Sequence, residues 1–317
     1  MSTTKPPNVR PADDLGIAEA AGVLAQSGTV AVPTETVYGL AARADSAAAV
    51  AAIYRAKGRP DFNPLSVHVL DLAAAEALAV FDARARSLAE AFWPGALTMV
   101  LPRRPDAPLA PAVSAGLPTV ALRVPAHPVM RAVLAATGLP LAAPSANRSG
   151  AVRPTNAAHV ASSLGGRVDL ILDGGSTRQG LESTIVAVRP EGGWSILRPG
   201  PITEAAIAGI LGPQSDGVTS GSARIEAPGQ LASHYAPGKP VRLDARAAEP
   251  GEFLIGFGPV AGAVSLSMHG DLAEAAARLY ACLHLAAEAP EPRIAIASIP
   301  DDGIGAAIND RLRCAAA

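Results

Sequence analysis

Apolar and polar positions along the chain recur with two different periods, and this pattern predicts an α/β protein. Short apolar runs bounded by turn residues are typical of buried strands, whereas apolar residues three and four positions apart are typical of amphipathic helices. The first helix is expected to begin at Asp13 or Asp14, and the second is capped by Ser46 and ends at Gly58. Because the spacing is irregular, we expect a twisted mixed sheet flanked by helices. Strands are predicted at 29–33, 65–69, 97–101, 119–124, 139–143, 170–172, 184–188 and 195–198, with further helices near 72–80, 84–92, 128–137, 157–164 and 204–211.

The composition of one segment divides the chain into two domains. Residues 212–222 read GPQSDGVTSGS and the irregular character continues to residue 238, so a linker is predicted over 212–238. The larger α/β domain would then occupy 1–211, and a small Rossmann-like α/β domain would occupy 239–317. A length of 317 residues also favours two domains. In the second domain, strands are predicted at 241–243, 253–257, 263–266 and 294–299, and helices at 271–288 and 306–315.

Charge and cysteine content exclude several classes of protein. The formal net charge is −2, which argues against a general nucleic-acid scaffold, since such proteins carry a basic excess. Cys282 and Cys314 lie in alanine-rich helical patterns and are expected to be free thiols. The N-terminus has no apolar signal region, and no run approaches the roughly 20 apolar residues of a membrane span. We therefore expect a cytoplasmic protein without a membrane partner.

Two early segments carry candidate chemistry. In PTETVYGL, Thr34 and Thr36 follow the first predicted strand, where α/β proteins tend to place ligands. Threonines also satisfy backbone groups in turns. In KGRP, Lys57 and Arg59 flank a glycine at a helix end, an arrangement that favours phosphate oxygens. Cations at a helix C-terminus also interact with the helix dipole, so both interpretations stay open for each segment.

Isolated arginines mark later strands. Arg123 stands alone in an apolar strand, and a buried guanidinium needs an anionic partner, which is either a protein carboxylate or a ligand carboxylate. APSANRSG places Ser145 after another strand, with Arg153 close behind. Such small residues form either an anion-binding nest or a plain turn. GLESTIV and ILRPG add Ser183 and Arg198 at strand ends.

Several familiar catalytic motifs are missing from the sequence. It contains no G-x-x-x-x-G-K-[ST], no G-x-S-x-G, no H-E-x-x-H and no C-x-x-C. A P-loop ATPase, a serine hydrolase and a dedicated zinc site are therefore disfavoured. What remains is a pocket rich in hydroxyls, amides and cations. Such a pocket is typical of electrostatic positioning of a nucleotide and a small carboxylate rather than of covalent catalysis.

The motifs taken together resemble the Sua5/YrdC/YwlC family, the L-threonylcarbamoyladenylate synthases. PTETVYGL, KGRP-x-x-NPL-x-x-H, WPG-x-LT, LR-P, PSAN-x-SG, LDGG, ESTIV and LRPG occur in the family's order. Each motif alone is weak, but the ordered set over roughly residues 15–211 is specific. The linker, its HYAP and the second domain resemble the longer, two-domain Sua5 form. The resemblance thus implies a YrdC-like catalytic domain over 1–211, a linker and active-site lid over 212–238, and a Sua5 C-terminal domain over 239–317.

The resemblance implies a nucleotidyltransferase reaction. L-Threonine, bicarbonate and ATP would give L-threonylcarbamoyladenylate and pyrophosphate, with Mg²⁺ accompanying ATP. The product would pass to the tRNA threonylcarbamoyl-transferase machinery for the t6A modification at adenosine 37, and no stable nucleic-acid binding by this chain is expected. Two alternatives are a double-stranded RNA or tRNA-binding module and a carbamoyl transfer like that of HypF proteins. Near-neutral charge and missing aromatic stacking motifs disfavour the first, and the missing zinc-finger and acylphosphatase-like regions disfavour the second.

The resemblance also assigns residues to the two substrates. Arg123 would neutralise the threonine carboxylate, Lys57 and Arg59 would act electrostatically, and no covalent nucleophile or dedicated metal ligand is implied. In the linker, the family's basic and aromatic positions before His234 are replaced by LAS, although closure by His234 and Tyr235 is still expected. The implied threonine-binding residues are Thr36, His68, Arg123, Ala143 and Ser183, and the implied ATP-binding residues are Lys57, Arg59, Asn63, Thr119, Ser145, Arg153, Arg198 and Tyr235.

Overall fold

The strands of the chain form two sheets, which confirms the predicted α/β class. The computed structural model describes residues 6–60, 62–214, 226–227 and 235–317. A ten-stranded mixed sheet is followed along the chain by a four-stranded sheet. The first ten strands are β1 (Val9–Pro11), β2 (Val30–Val32), β3 (Gly39–Arg43), β4 (Ser66–His68), β5 (Leu97–Pro102), β6 (Thr119–Arg123), β7 (Leu141–Ala142), β8 (Leu170–Asp173), β9 (Thr184–Val188) and β10 (Trp194–Arg198). The second sheet contains β11 (Val241–Arg242), β12 (Glu252–Gly256), β13 (Val264–Ser265) and β14 (Arg293–Ile296).

Two helices begin, and one ends, at the residues that the sequence indicated. The Asp13 side chain accepts from the backbone N–H of Gly16, and Ser46 accepts from that of Ala49, so both act as N-caps. Gly58 ends the second helix in the left-handed conformation with φ 58°. The helices are α1 (Asp14–Ala25), α2 (Ala47–Lys57), α3 (Leu72–Glu76), α4 (Ala83–Phe92), α5 (Pro128–Thr137), α6 (Ala157–Leu164), α7 (Glu204–Leu211), α8 (Leu272–Glu288) and α9 (Ile304–Ala316).

The order of strands in the large sheet decides which side chains meet. The order is β1-β8-β2-β3-β7-β4-β6-β5-β9-β10. β4 and β6 are parallel with His68 opposite Arg123, so the last residues of both strands stand side by side. β5 runs antiparallel to β6 and parallel to β9. The first residues of β5 and β9 therefore lie at the same end of the strands as the last residues of β4 and β6.

The small sheet is parallel throughout, with the order β11-β14-β12-β13, as expected for a Rossmann-like unit. Helices α8 and α9 bury Leu279, Leu283 and Ile308 against it. The same apolar cluster includes Val37 and Leu181 from the first sheet's loops. The core of the small sheet therefore extends to loops of the large sheet.

The structure also departs from the sequence predictions. Strands β1 and β3 were not predicted, because β1 is a three-residue exposed strand and β3 reads GLAAR, which has little β-branched character. The helix predicted over 72–80 ends at Glu76. Most of the predicted linker over 212–238, including His234, lies outside the described residues. Within the described part of the chain, no helix is long and apolar enough to cross a membrane.

Candidate active site

One pocket gathers most of the predicted site residues at the strand ends of the large sheet. The pocket is lined by the last residues of β4, β6 and β10, which are His68, Arg123 and Arg198. The loops after β2 and β7 and the loop before β9 form the rest of its wall. The lining also includes Thr34, Thr98 and Glu182, which were not among the predicted site residues. The predicted residues that line the pocket are Thr36, Arg59, His68, Arg123, Ala143, Ser145, Arg153, Ser183 and Arg198.

At one end of the pocket, Arg123 is fixed by three protein acceptors. Its Nη2 donates to Oε1 of Glu35 at 2.5 Å, its Nη1 to the Thr36 hydroxyl at 3.0 Å, and its Nε to the Gly95 carbonyl at 3.1 Å. The buried charge of Arg123 therefore has a protein carboxylate as its partner. A guanidinium has five N–H groups, so two remain for a ligand carboxylate.

The Glu35 carboxylate is ionised in this setting. Burial raises its pKa, but the charge and hydrogen bond of Arg123 outweigh burial, so the pKa lies below its ordinary value. Thr36 is positioned by Thr34, whose hydroxyl is 2.8 Å from the Thr36 hydroxyl and which donates to the Val37 carbonyl at 2.6 Å. Thr34 thus stabilises the turn, and both Thr34 and Thr36 line the pocket.

His68 and Ser183 complete the hydroxyl-rich end. Burial, and then the neighbouring Arg123 charge, lower the pKa of His68 to about 3, so its imidazole is neutral at pH 7. Its Nδ1 is buried and has no hydrogen-bond partner among the described residues. Ser183 and Thr98 share a hydrogen bond of 2.7 Å between their hydroxyls. A neutral ring nitrogen and hydroxyls can bind the amine and hydroxyl of a small amino acid without adding charge.

The other end of the pocket is cationic and includes Arg59. Its Nη2 donates to Oδ1 of Asn63 at 2.6 Å and to the Pro64 carbonyl at 2.9 Å. Burial is the main reason that the pKa of Arg59 falls to about 10, so Arg59 is charged at pH 7. Asn63 is fully buried behind Arg59, and no described residue accepts from its Nδ2. Asn63 therefore orients the guanidinium rather than lining the pocket.

Arg153 and Arg198 belong to the same cationic end, and both guanidinium charges lie near Glu182. Arg153 donates through Nε to Oε1 of Glu182 at 2.9 Å, and Arg198 donates through Nη2 to the Ser183 carbonyl at 2.8 Å. Burial raises the pKa of Glu182, but surrounding guanidinium charges hold it well below its ordinary value. This end therefore presents three arginines and one ionised carboxylate to the pocket, a charge balance that favours an anionic ligand.

Lys57 lies behind the pocket wall. Its Nζ donates to the backbone carbonyls of Ser145 and Asn147. Burial, followed by the charges of Arg153 and Arg59, lowers the pKa of Lys57 well below its ordinary value. Lys57 thus holds the PSAN loop in place. Its predicted contact with phosphate stays a prediction.

Two further predicted residues lie outside the pocket lining. Thr119 begins β6, four residues before Arg123, which places it roughly 13 Å along the strand. Tyr235 is buried at 1% exposure against Tyr280, with ring centroids 5.8 Å apart. Sequence reasoning missed Glu35 and Glu182 as site residues. Their signal was present, since each lies within a quoted motif, PTETVYGL and GLESTIV.

The described residues offer no protein cage for a metal ion. Among residues 6–60, 62–214, 226–227 and 235–317, no group of three or more His, Cys, Asp or Glu side chains could hold one. The two cysteines are free thiols.

Comparison with known proteins identifies the family to which this chain belongs. The Sua5/YciO/YrdC family model, described as "Telomere recombination", matches residues 22–200. A second model, described as "Threonylcarbamoyl-AMP synthase, C-terminal domain", matches residues 202–317. A threonylcarbamoyl-AMP synthase of Bacillus subtilis is 41% identical over 96% of this chain and 94% of its own length.

Solved structures with a similar fold cover nearly all of the chain. The crystal structure of Pyrococcus abyssi Sua5 complexed with L-threonine superposes with a TM-score of 0.86 at 33% identity, covering 98% of this chain and 96% of that one. A variant of that protein with histidine and tyrosine replaced by alanine gives a TM-score of 0.84 at 32% identity, covering 96% and 93% of the two chains. Fold and site together define an α/β enzyme of the nucleotidyltransferase type. The chain belongs to the Sua5/YciO/YrdC family, in the longer form that carries the threonylcarbamoyl-AMP synthase C-terminal domain.

Proposed function

We infer that this chain joins L-threonine, bicarbonate and ATP into L-threonylcarbamoyl-AMP and pyrophosphate, the activated precursor for the t6A modification of tRNA. The observation that carries the proposal is the two-ended pocket. One end of the pocket contains Thr36, His68 and Arg123, and the charge of Arg123 is neutralised there by Glu35. The other end is cationic and contains Arg59, Arg153 and Arg198. The threonine-bound P. abyssi Sua5 and the synthase of B. subtilis support the same reaction.

Threonine would bind at the Arg123 end. The two remaining N–H groups of Arg123 would bind its carboxylate, while Thr36, the neutral His68 and Ser183 would contact its polar groups. The backbone of Ala143 would close the same side. Because Glu35 already balances Arg123, this end would select a zwitterionic amino acid rather than a strongly anionic ligand.

ATP would bind at the cationic end, with Mg²⁺ entering on its phosphates. Arg59, Arg153, Arg198 and Ser145 would contact the nucleotide, with Tyr235 packed against Arg153. Lys57 and Asn63 would act behind them on the Ser145 loop and on Arg59. Thr119 is proposed as a more distant contact, since ATP is long enough to extend along the sheet edge.

The chemistry requires positioning more than proton transfer. The threonine amine adds to bicarbonate with loss of water and gives a carbamate. A carbamate oxygen then attacks the α-phosphorus of ATP as the bond from that phosphorus to the bridging oxygen breaks and pyrophosphate leaves. Negative charge spreads over the phosphoryl oxygens in the transition state, so fixed guanidiniums stabilise it.

Replacing Arg59 with alanine tests the cationic end. The variant should lower threonine-dependent pyrophosphate release at least ~100-fold, because one preorganised cation at the reacting phosphate is lost. Arg55→Ala is a control, since Arg55 is exposed on α2, the helix that ends two residues before Arg59. Unchanged turnover in folded Arg59→Ala would contradict the role of Arg59, and pyrophosphate release that does not depend on threonine would contradict the substrate.

A further inference from the structure

One carboxylate of the pocket, Glu182, is held by a side chain from a loop of the large sheet and by two from the helices beside the small sheet. It lies two residues before the first residue of β9 and is 4% exposed. Its Oε1 accepts from Nε of Arg153 at 2.9 Å, while Oε2 accepts from the Tyr280 hydroxyl at 2.6 Å and from Nε of Arg311 at 3.1 Å. Tyr280 lies on α8 and Arg311 on α9. The second sheet's helices therefore supply two of these three donors.

Arg311 also contacts a second part of the pocket wall. Its side chain is fully buried, and its Nη2 donates to the Pro199 carbonyl at 2.7 Å. Pro199 follows Arg198, whose Nε and Nη2 donate to the Ser183 carbonyl at 3.1 and 2.8 Å. A planar guanidinium holds its acceptors in fixed directions. Arg311 therefore fixes Glu182 relative to the strand end that carries Arg198.

The ring of Tyr235 lies within the same group. The Cζ atoms of Arg153 and Arg311 are 4.5 and 5.4 Å from its centroid, and the Tyr280 ring stacks on it at 5.8 Å. Guanidiniums at these distances attract an aromatic face. Loss of Arg311 would thus disturb a residue that we place near ATP.

Removing Tyr280 or Arg311 would leave the buried charge of Glu182 with fewer hydrogen-bond donors. A carboxylate offers about four lone-pair sites, and Glu182 uses three of them for Arg153, Tyr280 and Arg311. A buried carboxylate that loses partners must find others. The nearest cations would be Arg153 and Arg198. Both would then neutralise Glu182 instead of the phosphates of the nucleotide.

We propose that Arg311 and Tyr280 are positioning residues for ATP, acting through Glu182 on the wall that Arg153 and Arg198 form. The inference rests on the proposed function, since it assigns that wall to ATP. It gives the C-terminal region a specific role, because helices α8 and α9 complete the nucleotide side of the pocket through Glu182 and Pro199. The Arg123–Glu35 pair on the threonine side is held by other contacts.

The test uses the full chain with Tyr280→Phe, Arg311→Met and Arg311→Lys. The control is Arg313→Met on the same helix, where the arginine is 63% exposed and pairs with Asp301 at the surface. KM for MgATP and KM for threonine are measured separately by pyrophosphate release. The Kd of Mg²⁺-bound α,β-methylene-ATP and the Tm are measured for each variant.

Arg311→Met should raise both KM for MgATP and Kd for the analogue about tenfold or more, since misplaced supporting residues commonly cost that much. Tyr280→Phe keeps the ring and should raise both about threefold. KM for threonine should stay within about twofold of the wild-type value in every variant. Arg311→Lys should recover part of the loss because the charge remains, and Arg313→Met should behave as wild type.

Either of two results would overturn the inference. One is an unchanged analogue Kd in folded Arg311→Met and Tyr280→Phe. The other is an equal rise in the KM values for ATP and threonine, which indicates a general structural role. If Arg311→Met does not fold, Tyr280→Phe decides by the same criteria. A wild-type chain without threonine-dependent turnover would contradict the proposed function instead, and the analogue Kd would still decide the role of Arg311.

Discussion

The two buried carboxylates of the pocket, Glu35 and Glu182, hold their cations in different ways. Glu35, in the loop after β2, pairs with Arg123 at the end of β6, so both residues come from the large sheet and its loops. Glu182 pairs with Arg153, 29 residues away, and with Arg311, 129 residues away on a helix of the small sheet. The Glu35–Arg123 pair involves no residue of the small sheet or its helices, and it fixes the threonine end of the pocket. The Glu182 pairs make the cationic end of the pocket depend on how the helices of the small sheet pack against the large sheet.

The largest effect is expected for Glu182→Gln. The change keeps the side-chain shape but leaves Arg153 and Arg311 without their common counter-ion, and breaking a buried ion pair typically costs about 3–5 kcal/mol. The free energy of unfolding, measured in urea, should fall by that amount. Glu76→Gln removes a surface pair with Arg86 and should cost less than about 1 kcal/mol. Equal losses in the two variants would show that Glu182 does not join the two sheets energetically.

Arg123→Lys tests the Glu35–Arg123 pair and should have a smaller effect. Lysine keeps a charge near Glu35 but cannot bind the carboxylate, the Thr36 hydroxyl and the Gly95 carbonyl together. The Kd for threonine should rise about tenfold, which is roughly 1.4 kcal/mol. The Kd for α,β-methylene-ATP should not change, and titration calorimetry measures both. A matching rise in the analogue Kd would mean that the two ends are not independent.

The smallest expected effect concerns pH at the contact between α6 and α8. His159 stacks on His284 with ring centroids 3.7 Å apart, and His284 Nε2 lies 3.0 Å from the Arg153 carbonyl. Burial, followed by the charge of His284, lowers the pKa of His159 from 6.5 to about 4. The unfolded chain therefore binds a proton in this window that the folded chain does not bind.

Stability should consequently fall as the pH drops from 6.5 towards 4. Burial also lowers the pKa of His284, although Glu288 opposes that shift, so His284 contributes in the same direction. His159→Phe keeps a ring on His284 and should flatten the dependence of Tm on pH in this range. An unchanged slope would contradict the role of the stacked pair.

Local structure followed closely from the sequence, whereas the partners of buried charges did not. Asp13, Ser46 and Gly58 act at helix ends because capping depends on neighbours within four residues. The cation at Arg123 was visible as a lone charge in an apolar strand, but Glu35 lies 88 residues away. Strand order alone brings these two residues together.

The role of the C-terminal region could not be predicted from the sequence either, because it also depends on contacts between residues far apart along the chain. Arg311 sits in an alanine-rich helical pattern in which one arginine resembles a surface residue. Its 0% exposure and its contact with Glu182 depend on the packing of α9 against the first sheet's loops. Lys57 is the opposite case. Its motif indicated contact with phosphate, but in the structure its side chain donates to backbone carbonyls.

The central claim is that one pocket joins three substrates, and isotope incorporation tests it most directly. The chain is incubated with MgATP, L-threonine and ¹³C-bicarbonate, and the products are analysed by mass spectrometry. We expect an acyl-adenylate that contains threonine, AMP and one ¹³C atom, formed together with pyrophosphate. Pyrophosphate release without that labelled adenylate, or a labelled adenylate that forms equally without threonine, would contradict it.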